Sequence, residues 1–505
     1  MLPEKQALLF LQQFSAVDCW LRSRRGPAPS AVGLGHFSSV ITFLLVAGPY
    51  CPYPCGIVAR TIRAQKEGFM ETRTRWTILW FLVAISVVRS MDAVNFSVAA
   101  QQIMPEYGLS NVQMGLLYTV FTAGYALFHV PGGWLGDRVG PRWMLTLAVV
   151  WWSAFTAVTA VAGSWWLAGL IGPLGSFMVV RFLVGMGEGA AYPNSTRAVA
   201  SWMAPNERAF AGGLVLGSIG IGYGLAPPVV SWIMVHYGWR PAFYVFGFVG
   251  LIVAVLWYYF ATDRPEDHPR VSPLELQRIR SDSQTLEQQP TPWRAIFTHP
   301  NVWLLMLANF GFGYGVYIYQ SWFYLYLVNV RGFSIMQGGW LTTGPFIALT
   351  ILGPIGGKCS DALAKRYGVT WGRRAVAVSG LFLAAVCLYL GAHAENPYTA
   401  VIMLSLGDGF LYFAGAAGVG TVIDIAGAHS GTVYGVTVTA TQIGGAVAPV
   451  LTPYIAEHLG WEFALQFAGL LALFSSFVWL FIDAAKKIIP RVEKQDVGEQ
   501  LVVAR

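Results

Sequence analysis

Residues 108–137 read GLSNVQMGLLYTVFTAGYALFHVPGGWLGD, and residues 332–361 read GFSIMQGGWLTTGPFIALTILGPIGGKCSD. At this offset of 224 residues the identical pairs are Gly108/Gly332, Ser110/Ser334, Gln113/Gln337, Gly115/Gly339, Leu117/Leu341, Thr119/Thr343, Gly132/Gly356, Gly133/Gly357 and Asp137/Asp361. Further along, His236, Gly238 and Trp239 match His458, Gly460 and Trp461 at an offset of 222. The chain therefore contains two copies of one unit.

The composition says where those copies reside. Of 505 residues, 55% are hydrophobic and only 11% charged, whereas soluble domains run near 25% charged. A bilayer core of about 30 Å takes about 20 apolar residues of helix. Windows of that length recur near 77–98, 112–133, 143–163, 173–193, 209–235, 240–261, 301–328, 335–357, 374–394, 398–426, 431–456 and 461–483. Twelve spans, six per copy, predict an all-α membrane protein. An even number per copy keeps both in one orientation, the parallel repeat of transporters that rock two bundles about a midplane site.

A net charge of +7 could suggest nucleic acid, but the basic residues are sorted by loop. Arg138, Arg142, Arg197, Arg208, Arg264, Arg270, Arg278, Arg280, Arg294, Lys358, Lys365, Arg366, Arg373 and Arg374 fall in even-numbered connections, and only Arg240 and Arg331 in odd ones. The positive-inside rule makes the even connections cytoplasmic, with the tail bearing Lys486, Lys487, Arg491 and Lys494. The expected location is the cell (inner) membrane with a cytoplasmic C-terminus, without nucleic acid as partner. Five cysteines, three of them before residue 60, form neither a disulfide framework nor a metal spacing.

Residues 1–72 read as an extension: the apolar run at 37–48 is short for a span, and Met70 would make a natural start. The expected organisation continues with a six-helix bundle over 73–261, a polar, proline-punctuated cytoplasmic linker over 262–300, a second bundle over 301–487 and a tail over 488–505. A short surface helix is expected around SPLELQRIRS in the linker.

The stretch PGGWLGDRVGPR, residues 131–142, resembles the cytoplasmic loop signature of the major facilitator superfamily, with a weaker copy in IGGKCSDALAKRYGVTWGRR. More narrowly, RFLVGMGEGAAYPNSTRAVASWMAPNERA from residue 181, then APPVVSWIMVHYGWRPAFYVFG and RPEDHPRVSPLE, resemble the anion:cation symporter family, which includes sugar-acid, sialic acid and vesicular glutamate carriers. The resemblance covers roughly residues 73–487 and implies proton-coupled transport of an organic anion.

Charges inside spans are costly and mark function. Span one has Arg89 and Asp92, three apart and able to pair on one face. Span four has Arg181 and Glu188, seven apart and so within about 20° of one direction. A carboxylate in a low-dielectric cavity can exchange a proton near neutral pH, while an arginine keeps its charge and holds either that carboxylate or the substrate's. Asp92 and Glu188 are thus the expected proton carriers, and Arg181 the arginine whose partner changes with protonation. The alternative is a set of structural ion pairs. Gly185, Gly187 and Gly189 favour close helix packing under either reading.

One departure from the resembled family stands out. Its pattern NYxDR in span one is RSMDAVN here, with Ala93 in the arginine position and Arg89 one turn earlier. Either Arg89 supplies the missing charge or the substrate differs. Tyr125 matches a family tyrosine that faces the cavity, with His129 nearby. Tyr317, Gln320 and Ser321 in span seven are further candidates, as is Gln442, which stands where the family has Asn. Asp408 in span ten is unusual for the pattern. Asp137, Arg138, Arg142 and Asp361 lie at cytoplasmic loops and are expected to latch the bundles in one access state. The expectation is a monomeric symporter of a sugar acid such as a hexuronate, aldonate or aldarate, with no cofactor and no metal; a proton-driven exporter of organic anions or drugs is the rival on the same fold. No HExxH, GxSxG or phosphate loop supports an enzyme.

Overall fold

The computed structural model describes residues 72–280 and 292–488. The expectations for residues 1–69 and for Arg491 and Lys494 lie outside the described residues. The described chain falls in one compact unit and is helical.

The first copy consists of α1 (Thr74–Tyr107), α2 (Asn111–Val139), α3 (Pro141–Thr159), α4 (Trp166–Gly189), its continuation α5 (Ala191–Trp202), α6 (Pro205–Tyr237) and α7 (Arg240–Phe260). Two short helices follow, α8 (Pro273–Arg280) and α9 (Trp293–Thr298). The second copy has α10 (Pro300–Ser321), extended by a helical turn and the π-helical Tyr326–Val330, then α11 (Ile335–Leu341), α12 (Thr343–Tyr367), α13 (Val369–His393), α14 (Pro397–Ala426), α15 (Ser430–Leu459) and α16 (Trp461–Trp479). Taken with their continuations, these make twelve long helical rods. Among the described residues nine are apolar and long enough to cross a bilayer unaided. The other three, α2, α3 and α15, are rich in Gly, Thr or Trp.

The repeat seen in the sequence is a repeat of structure. Ser110 caps α2 and Ser334 caps α11, each in a reciprocal capping box with the glutamine three residues on. The preceding glycines, Gly108 and Gly332, both take positive φ, 62° and 76°, which a Cβ would disfavour. Packing repeats too: α1 on α6, α2 on α4 and α3 on α7 correspond to α10 on α15, α12 on α14 and α13 on α16. Each copy has its own apolar core.

Span four begins later than its helix. Gly172 is non-helical, with φ 76° and ψ 163°, ahead of Pro173, so Trp166–Ile171 is a separate turn and the span proper starts at Pro173, as the apolar window has it. The linker holds α8 where SPLELQRIRS predicts a helix. It is not a loose surface piece: Glu275 is fully buried and accepts hydrogen bonds from the Thr74 and Arg75 amides and from the Thr72 hydroxyl.

The copies meet at one end. The Thr119 hydroxyl of α2 donates to the Ala446 carbonyl of α15 (2.6 Å) and Thr343 of α12 to the Gly224 carbonyl of α6 (2.9 Å). Asn111 reaches Glu457, and Gly115 and Gly339 leave room for the backbones of Pro449 and Pro227. All of these lie away from the basic loops. Toward the basic loops, Gly212, Gly213 and Gly217 of α6 and Gly431 and Gly435 of α15 face open space. The seam is closed on the face opposite the basic loops and open toward them.

Candidate substrate and proton site

Four charged side chains of the first copy are buried together: Arg89 and Asp92 on α1, Arg181 and Glu188 on α4. Glycines let α4 approach. A Cβ on Gly185 would strike the carbonyl of Phe121, and one on Gly189 that of Tyr125, so α4 lies directly against α2.

Arg89 and Glu188 form the ion pair, Nη1 to Oε2 at 3.5 Å, with side-chain exposures of 8% and 0%. Two sequence expectations change here. Arg89 does not pair with Asp92 on its own helix, because the guanidinium extends toward α4. Nor does Arg181 form an ion pair: its guanidinium lies between the rings of Phe96 and Phe121, 4.4 Å from each centroid, a cation–π arrangement that satisfies charge without a carboxylate. Its Nε and Nη2 have no hydrogen-bond partner. Asp92 is buried with both oxygens unpartnered, beside Trp152 and Thr156 of α3 and in the field of Arg181 and Glu188.

Around the pair stand phenols. Tyr125 lies beneath the Arg89 guanidinium at 5.8 Å, with His129 one turn on, its ring 5.6 Å from that of Tyr125. Tyr223 of α6 and Tyr192 of α5 also act on Arg89. Across the seam, Tyr317 of α10 donates to Oε1 of Gln442 on α15 at 3.1 Å, and its hydroxyl is in the field of Tyr223, Tyr125 and Arg89. The structure thus brings Arg89, Glu188, Tyr125, Tyr317 and Gln442 to one place between the copies. Gln320 and Ser321, in the last turn of α10, make no hydrogen bond with this group. Sequence reasoning missed Tyr223, Tyr192 and the two rings around Arg181; single aromatic residues among many give no periodic signal.

The loop residues pair within their own copies. Asp137 is bonded to Arg197, Arg138 stacks on Trp134 and Arg142 donates its amide to Asp263. Asp361 and Asp424 share Arg373 at 2.6 and 2.9 Å. With the seam open toward these loops, no contact joins them across it among the described residues.

Two parallel copies of six spans, meeting around a buried ion pair, match one family in sequence as well: residues 81–369 and 334–503 match the Major Facilitator Superfamily. The chain belongs to the Major Facilitator Superfamily. This facilitator is 34% identical over 416 residues to the probable sulfoacetate transporter SauU of Cupriavidus necator, covering 81% of this chain and 94% of that one. It is 30% identical over 412 residues to the hexuronate transporter of Bacillus subtilis, again covering 81% and 94%. Its fold matches a bacterial homolog of the human lysosomal transporter Spinster with a TM-score of 0.68 at 17% identity, over 82% of this chain and 97% of that one.

Proposed function

We propose that this facilitator imports a small organic anion, a sugar acid or similar carboxylate or sulfonate, together with protons. The observation that carries the reading is the Arg89–Glu188 pair, buried at the seam and ringed by phenols of both copies. Relatives named for sulfoacetate and hexuronate support an anionic cargo.

The chemistry follows from exchange of partners. With Glu188 ionised, its carboxylate occupies Arg89 and an anion would meet net neutrality. A proton on Glu188 leaves Arg89 without its counter-ion, and a substrate carboxylate or sulfonate takes that place. Tyr125, Tyr223, Tyr317 and Gln442 offer hydroxyls and an amide to polar groups of the cargo, and two of these four belong to the other copy. The ligand thereby bridges the copies, which is what alternating access requires of a midplane site. Asp92, whose oxygens have no bonded donor, is the second proton carrier in this scheme, balanced by the fixed charge of Arg181.

Proton coupling also answers the membrane potential. Each unit charge moved against it costs about 2.3 kcal/mol per 100 mV; one proton makes entry of a monoanion electroneutral, and two make it electrically driven. The basic-loop face, to which the seam is open here, is the cytoplasmic face on this reading.

The test is thermal-shift screening of purified protein against uronic, aldonic and aldaric acids and sulfoacetate, followed by uptake of the stabilising acid into right-side-out vesicles under an inward proton gradient. Gradient-driven accumulation supports the proposal. Efflux under the same gradient, or accumulation indifferent to it, contradicts it.

A further inference from the structure

Asp408 is an acid that the scheme above leaves unused. It sits in the middle of α14, 1% exposed, with neither carboxylate oxygen hydrogen-bonded. An ionised carboxylate removed from water without a partner is strongly disfavoured, so such groups are paired, metal-bound or neutral. Among the described residues no cation closes on Asp408. α10 faces it with Tyr319 and α14 itself with Tyr412. From α13 comes Cys387, beside Tyr319 and Gly407. α12 contributes Ala348 and Leu352 against Gly409. α15 reaches this region through Tyr434, toward Tyr412.

The surroundings form a polar file rather than an isolated flaw. Ser405, Asp408 and Tyr412 are spaced three and four apart, hence on one face of α14. The Ser405 hydroxyl is also buried without a partner. The Tyr319 hydroxyl, committed to the Leu404 carbonyl at 2.8 Å, packs where Gly407 has no Cβ. Tyr412 lies within electrostatic range of Asp408 and of Tyr223, Tyr317 and Tyr434, and Tyr317 is the residue bonded to Gln442 in the substrate site.

We propose that Asp408 is a further proton-binding site, in the second copy, linked to the substrate cavity through Tyr412. It rests on the proton-coupled reading, and adds to it that protons are held in both copies and not only beside Arg89 and Arg181. Occupancy of the cavity is felt at Asp408 through the Tyr412 hydroxyl, so the site releases its proton in step with the cargo.

Infrared difference spectra of the purified full chain in liposomes test this without knowing the cargo. The pH is stepped from about 5 to about 9, the range of displaced carboxyl titrations. Wild type shows a protonated-carboxyl carbonyl band, and Asp408→Asn removes a component of it that Asp92→Asn and Glu188→Gln leave in place. Tyr412→Phe keeps that component and shifts the pH at which it disappears, which a purely structural role for Asp408 would not do. With D-glucuronate or sulfoacetate as probe, the proton-to-anion ratio falls by one in Asp408→Asn. Should the Asn variant not fold, Asp408→Glu moves the component to the position of a glutamic acid and makes the same assignment. A carbonyl region in Asp408→Asn identical to wild type overturns the proposal, as does a component removed by sodium and not by pH. If Glu188→Gln and Asp92→Asn remove nothing while Asp408→Asn does, the assignment of Glu188 and Asp92 as proton carriers fails while that of Asp408 as a proton-binding group stands.

Discussion

Arg89 on α1 and Arg181 on α4 are both buried, and their guanidinium groups are held in different ways. Arg89 meets a carboxylate, Arg181 two aromatic faces. In the proposed mechanism the difference separates their roles: a partner that can be protonated makes Arg89 available in one state and occupied in another, whereas aromatic faces never change charge. Arg89→Ala is therefore expected to abolish anion binding, a loss of at least about 2 kcal/mol or thirtyfold given the worth of a charged hydrogen bond, read by calorimetry with the anion identified by screening. Arg181→Lys keeps the charge but loses the planar stack; it is expected to lower thermal stability and leave residual transport, measured by melting and uptake on the same preparation. Legibility at this scale was mixed. The charged residues announced themselves by lying in apolar spans, and the one-turn offset from Ala93 to Arg89 was readable as a possible relocation of charge. Which arginine met an acid and which met aromatic rings was not, because partners come from helices far apart in sequence whose rotation depends on packing at Gly185 and Gly189.

Helices bear the conformational change. Gly115 and Gly339 are equivalent in the two copies and lie where α2 meets α15 and α11 meets α6. A Cβ on Gly115 would strike the Pro449 carbonyl and one on Gly339 the Ser231 side chain, each in the opposite copy, so Gly115→Val and Gly339→Val are expected to prevent closure of the face opposite the basic loops and shift the population toward opening there. Spin-label distances across that face would lengthen relative to wild type; unchanged distances would contradict the assignment of this contact as a gate. At the basic-loop face, α8 is fastened to α1 and α6. Removing the fully buried Glu275, as Glu275→Ala, strips the Arg75 guanidinium and two amides of an acceptor and is expected to cost about 3–5 kcal/mol, seen as earlier thermal unfolding. Glu207 completes the anchor. Partial burial favours its neutral form, but hydrogen bonds and charge from Arg75, with the charge of Arg278, outweigh this and hold its carboxyl below the usual range. Its stabilisation is thus complete above the ordinary carboxyl value of about 4.3 and is lost as pH falls through the lower folded value. Melting curves of Glu207→Gln should differ from wild type at neutral pH and converge with it in acid.

For the whole molecule, the repeat governs both architecture and mechanism. The fold was legible because the repeat is written in local chemistry: Ser and Gln three apart cap a helix wherever they occur, and glycine precedes both caps at positive φ. The seam was not legible, since Thr119 and Ala446 or Thr343 and Gly224 carry no mark of their pairing. The loop residues Asp137, Arg138, Arg142 and Asp361 were readable as charged and basic-side, yet their partners here lie within each copy. Two copies that close around one exchangeable ion pair must move protons together with the anion. Proteoliposomes loaded with a pH-sensitive dye are given the stabilising anion outside, with no preset gradient. Wild type is predicted to acidify the lumen as the anion enters, and Glu188→Gln to exchange labelled for unlabelled anion without acidification. Lumenal acidification by Glu188→Gln equal to wild type, at equal anion uptake, would contradict the account.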